Sequence, residues 1–164
     1  MLVIFDDEKI RSQSKLYKGK RGFLWLPLFT IDPGANNFIG ISDSFVWVCG
    51  KENSLYEVVD PKAGFLLVPV LRQDLVFFVS DLKKNLFEKK IPDCFLKKFP
   101  FDSLVLSGVM GRGEDVNGAY RWISQGYPVN QRIARCFSDR GLRVPAVSDM
   151  NDKDRLDYVL SLSS

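Results

Sequence analysis

The chain has 164 residues and no histidine. That removes Ser-His-Asp and Cys-His nucleophilic chemistry and His-ligated zinc. Catalysis is left to Asp, Glu, Lys, Arg, Tyr or a carboxylate-bound metal. Asp32 is the most telling carboxylate. It stands where an apolar run, Phe23 to Ile31, meets Pro33-Gly34, and a second β-like run, Phe38 to Ser42, follows at once. A carboxylate at the end of a buried strand, with a returning strand beside it, can hold a divalent metal. Asp, Pro and Gly also favour plain turns, each for its own reason. Asp149 ends a later β-rich stretch. Asp154 and Asp157 are three residues apart and share one side of a helix. The same three acids also suit capping and the macrodipole at a helix N-terminus.

The cations are unevenly spread. Net charge is only +3, yet Lys9, Arg11, Lys15, Lys18, Lys20 and Arg21 occur with no acid among them. Lys83, Lys84, Lys89, Lys90, Lys97 and Lys98 form a second group. Such stretches bind phosphate backbones, and they are also how a solvated face reads. Lys18, Lys20, Arg21 and Arg112 are the candidate phosphate contacts. Arg112 lies in Gly108-Val-Met-Gly111-Arg-Gly113, which could form an anion nest or a flexible connection. It lacks dinucleotide-fold and P-loop spacing. Cys49, Cys94 and Cys136 are odd in number and widely spaced, so they read as small buried thiols. Trp25, Trp47 and Trp122 fall in apolar periodic runs and read as core.

Composition is that of a globular protein, 46% hydrophobic and 26% charged, and one domain with a real core is expected. Met1 to Asp7 lacks signal-peptide features. No apolar stretch approaches the roughly 20 residues of a membrane span. A cytoplasmic protein that avoids membranes is therefore expected.

The elements that would carry these residues follow from periodicity. Leu2 to Phe5 reads as a short strand leading into a basic arm. Phe23–Ile31, Phe38–Ser42, Ser44–Cys49 and Leu55–Val59 read as strands of an antiparallel meander. Phe65–Leu71 reads as an edge strand or bulge because it contains Pro69. Asp74 is expected to cap a helix in which Leu75, Phe78, Val79, Leu82 and Leu86 recur at helical spacing. Leu104–Leu106 reads as a short buried strand, and a helix is expected from Asp115 to Ser124. Pro128 suits the first position of another helix that Gly141 follows. Arg143–Val147 reads as a strand. Asp149 or Asn151 would cap a last helix.

From Thr30 to Ser42 the sequence is similar to the opening of Holliday-junction resolvases of the RuvC and YqgF types. Leu104–Gly108 and Gly141–Asp149 resemble the back half of the YqgF type. Asp154-Arg-Leu-Asp157-Tyr-Val-Leu160 resembles the final-helix Asp-x-x-Asp-x-x-Leu of the RuvC type. By order of elements the resemblance spans residues 23–162. It implies an α/β fold of the ribonuclease H-like superfamily over 23–164, preceded by an N-terminal strand and basic arm over 1–22. The sheet would be mixed, in the order β-β-β-α-β-α-β-α, with helices on both faces.

The resemblance also implies a metal-dependent nucleic-acid phosphodiesterase. Its catalytic residues would be Asp32, Asp149, Asp154 and Asp157. Asp32, Asp149 and Asp157 would ligate Mg²⁺ or Mn²⁺, paired about 3.5–4 Å apart. The match departs at Ser107, where the RuvC type has Glu nearby, leaving Asp81 and Asp115 as stand-ins for a middle ligand. It departs again at Asp149-Met150-Asn151, where the YqgF type has Asp-Glu-Arg. Glu114–Ala119 also resembles an Asp-x-Asn-Gly-Ala segment of transposon-derived CRISPR nucleases. The expectation of another class is a non-catalytic binding protein on a similar α/β fold. It would be toxin-neutralising, inhibitory or a nucleoprotein scaffold, with nucleic acid or a protein as partner. A nucleotide-binding enzyme using the Gly108–Gly113 loop is a third.

Overall fold

The computed structural model describes residues 15–16, 24–32, 34, 36–51, 54–57 and 61–162. The chain divides into two compact units. One comprises Met1–Leu67 with Lys83–Phe99, the other Val68–Leu82 with Pro100–Ser164.

The first unit is built on a five-stranded sheet ordered as the chain runs. Its strands are β1 (Lys15–Leu16), β2 (Leu24–Asp32), β3 (Asn37–Ser42), β4 (Trp47–Lys51) and β5 (Ser54–Glu57). Every pairing is antiparallel. Strands β2 to β5 correspond to the expected meander, and β1 adds a strand inside the segment read as a basic arm. Strict alternation of buried and exposed residues is lost because both faces are covered. One face carries Trp25 and Val48, with Phe38 and Val46 against them. The other presents Ile39, Ile41, Cys49 and Trp47, all buried. Trp47 meets the Phe99 ring edge-on at 5.2 Å, and its Nε1 donates to the Phe95 carbonyl at 2.9 Å. The segment supplying these partners includes the 3-10 turn Asp93–Lys98. Helix α1 (Pro61–Leu67) packs against β4.

The second unit is helical. It holds a 3-10 turn, Val68–Arg72, the first half of α2 (Leu75–Glu88), and α3 (Phe101–Met110). It continues with α4 (Glu114–Ser124), α5 (Gln131–Asp139) and α6 (Asp152–Ser161). Its aromatic core stacks Phe78 on Trp122 at 5.4 Å, with Phe101 and Tyr127 around them. Leu71, fully buried, wedges between α3 and α4. A Cβ at Gly118 would lie 2.7 Å from Leu71 Cβ and 2.9 Å from its backbone oxygen, so that position requires glycine, while one at Gly108 would displace the end of the Leu71 side chain. Gly113 enters α4 at φ +53°, which suits a residue without Cβ.

These facts correct the expected ribonuclease H-like mixed sheet. Its later strands do not form. Leu104–Leu106 lies inside α3, because Phe101, Leu104, Val105, Gly108 and Val109 bury at i, i+3, i+4, i+7 and i+8. Three residues show no period; ten show a helical one. Phe65–Leu71 is helix and 3-10 turn, since Pro61 opens the helix and Pro69 cannot donate to a ladder. Among the described residues Arg143–Val147 makes one bridge, Val147 to Val129. Pro128 precedes α5 rather than opening it, and Asn130 caps that helix by accepting from the Ile133 N–H at 2.9 Å. Asp74 does not stand alone at α2: Gln125 Oε1 accepts the Leu75 N–H at 2.7 Å. Cys94 is exposed rather than buried. Leu2–Phe5 lies outside the described residues. Among the described residues no helix is long and apolar enough to cross a membrane.

A buried polar knot ties α3 to α6. Arg155 is 3% exposed, and its guanidinium donates to both Asp102 carboxylate oxygens, at 2.9 and 3.1 Å. It also donates to the Pro128 carbonyl. Asp102 further accepts from the Tyr127 hydroxyl and from Asn130 Nδ2. Burial, then the Asp102 charge and hydrogen bond, hold the Tyr127 phenol well above its ordinary range. A raised folded pKa keeps its stabilisation below the unfolded value and loses it as pH rises. Wild-type stability should therefore fall steeply above about pH 10. Tyr127→Phe should flatten that fall in urea titrations repeated across pH, and an identical slope in the variant would contradict the assignment.

Candidate functional site

Helix α5 is strongly two-sided. Ile133, Ala134 and Phe137 turn to the core. Arg132, Arg135, Cys136 and Asp139 follow at i, i+3, i+4 and i+7, the spacing that lines one helical face. On α3, Leu106 and Met110 stand one turn apart, and Arg112 follows in the connection to α4. With Arg140 these residues line a groove of about 700 Å³. Pockets that take compact ligands run about 300–1,000 Å³.

The groove sets four arginines against one acid, Asp139. Arg140 is fixed: its guanidinium donates to the carbonyls of Val109 and Gly111. It thereby satisfies carbonyls left open at the end of α3 and places a cation at that helix's negative pole. Arg112, Arg132 and Arg135 are exposed and have no carboxylate within ion-pair distance among the described residues. Met110 is 68% exposed beside them, an apolar side chain in a cationic frame. Burial pushes the Cys136 thiol up, against the pull of Arg140, with Asp139 adding to the rise. It is thus neutral at pH 7 and offers no thiolate nucleophile.

The sequence-predicted residues fall in scattered places. Asp32 ends β2, in register with Asn37, in the first unit. Asn37 is buried, and its Oδ1 has no hydrogen-bond partner among the described residues. Asp149, Asp154 and Asp157 belong to the second unit and are exposed. Asp154 is engaged in a reciprocal cap. Its N–H donates to Asn151 Oδ1 at 2.9 Å, and its Oδ2 accepts from Asn151 Nδ2 at 2.7 Å. The capping expectation for Asn151 is met, while Asp149 lies before the helix. Asp81 is exposed on α2, and Asp115 lies against Gly111 in the first turn of α4. Ser107 Oγ donates to the Ser103 carbonyl at 2.9 Å.

Among the described residues no three Asp, Glu or Cys side chains gather where a metal could sit. Lys18, Lys20 and Arg21 lie outside the described residues. Arg112, the one predicted phosphate contact among the described residues, lines the groove. Arg132, Arg135 and Arg140 went unrecognised in the sequence. The signal for Arg132 and Arg135 is their Arg-x-x-Arg spacing on the polar side of an amphipathic helix; Arg140 caps the end of that helix.

No protein-family model, curated protein or solved structure matches this chain.

Proposed function

We propose that the chain binds nucleic acid through its phosphate backbone, and that the arginine-lined groove of the second unit is a contact surface. The observation that carries this is the gathering of Arg112, Arg132 and Arg135, unpaired among the described residues, around one groove. Over the whole unit acids outnumber cations, so the groove is a local concentration rather than a reflection of bulk charge. Lys153 is the unit's one lysine. Arginine presents a planar fork that matches phosphate oxygens two at a time and is less strongly hydrated than an ammonium. The groove offers cations and apolar surface; its one acid and its neutral thiol supply neither a metal-ligand set nor a nucleophile. Binding, not cleavage, is what its chemistry supports.

The test is fluorescence anisotropy of the intact chain with labelled oligonucleotides over a salt series. Each neutralised phosphate contributes about 0.7 (single strand) to 0.9 (duplex) to the slope of log affinity against log salt. Three free arginines predict a slope of roughly −2 to −3. Salt-independent binding, or none, would remove the proposal. The same mixtures with Mg²⁺ or Mn²⁺, run on denaturing gels, test the nuclease reading. Cleavage that Asp32→Asn abolishes would replace binding by catalysis.

A further inference from the structure

We infer that the groove takes unpaired, single-stranded nucleic acid, with a base against Met110 and Leu106 and its flanking phosphates on the arginines. The inference rests on the binding reading above and adds the strand class. Duplex nucleic acid turns phosphates outward and keeps the faces of its bases stacked. A site for duplex phosphates therefore needs cations only, and an exposed apolar side chain among them gains nothing. This groove has both. Met110 projects on the last turn of α3, 68% exposed, with Leu106 beneath it one turn earlier and nearly buried. Arg112 follows two residues on, and Arg132 and Arg135 face from α5. An unpaired base is an aromatic face with adjacent charge, and this combination suits it. A thioether makes favourable contact with an aromatic ring, and guanidinium planes stack on splayed-out bases. A groove of about 700 Å³ has the bulk for about two nucleotides rather than a helix.

The experiment compares three labelled ligands by anisotropy, a single strand, a hairpin duplex and an abasic strand of equal length, and then measures the single strand against Met110→Ala. The single strand is expected to bind at least about tenfold tighter than hairpin or abasic strand, in line with base-stacking contributions. Met110→Ala should weaken single-strand binding about two- to tenfold while leaving the salt slope unchanged, because no phosphate contact is lost. Met110→Leu should recover most of the loss. Equal binding of the hairpin or of the abasic strand, or no effect of Met110→Ala, overturns the single-strand inference and leaves the phosphate-binding reading standing. Loss of binding to every ligand by the wild-type chain overturns both.

Discussion

Asp102→Ala should destabilise the helical unit by about 3 kcal/mol, the low end of the cost of breaking a buried ion pair. The carboxylate accepts from Arg155 twice, from the Tyr127 hydroxyl and from Asn130 Nδ2. Removing it strands a guanidinium whose side chain is 4% exposed. The remaining acid, Asp152 at 3.3 Å, is 92% exposed and a weak substitute. The Pro128 carbonyl keeps part of the guanidinium satisfied. Asp102 itself is 37% exposed, so water can replace some of its interactions, which is why the low end applies. Asp102→Asn should fall between wild type and alanine, since an amide keeps one acceptor and loses the charge. Urea unfolding followed by circular dichroism at pH 7 reads the difference. A loss below about 1 kcal/mol would mean the knot is no stronger than a surface pair.

That knot shows where reading the sequence stops. Asp102, Tyr127 and Arg155 are far apart along the chain, and no local spacing joins them. Strands β2 to β5 are legible because each falls in a bounded apolar or β-rich run, whereas β1, Lys15–Leu16, lies in what reads as a basic arm. The helix from Leu75 was legible for the opposite reason, a period sustained over more than three turns. The misreadings share a cause. Leu104–Val105–Leu106 is short and wholly buried, and the run around Pro69 is short and buried at Leu67, Val68, Val70 and Leu71, so their flanks, not their composition, decide between helix and strand. With those two stretches read as strands, the order of elements resembles a mixed sheet. Asp32 and Asp149 then followed as neighbours on it. The fold removes that sheet, and with it the reason for grouping the acids. Arg132 and Arg135 do not stand out in the sequence, because charges on a helix usually mean a solvated face. What distinguishes them is the company across the groove, which only folding supplies.

Reversing those two charges carries the largest expected effect on binding. Arg132 and Arg135 are exposed on α5 while its core side is formed by Ile133, Ala134 and Phe137, so Arg132→Glu with Arg135→Glu should leave the fold intact. Two phosphate contacts vanish and two carboxylates face the backbone instead. Like-charge juxtaposition across an interface costs several kcal/mol, so affinity at low salt should drop on the order of a hundredfold. The salt slope should also shrink by about 0.7 for each lost single-strand contact. The control is Lys97→Glu with Lys98→Glu, two exposed residues of the first unit. It changes net charge by the same amount and alters none of the residues that line the groove. If binding follows overall charge, both pairs lose affinity alike. If it follows the groove, the lysine pair loses little and the arginine pair loses nearly all. An equal loss in the two would move the site away from α5, because bulk charge reports the sum of the cations and only a built site reports where they stand.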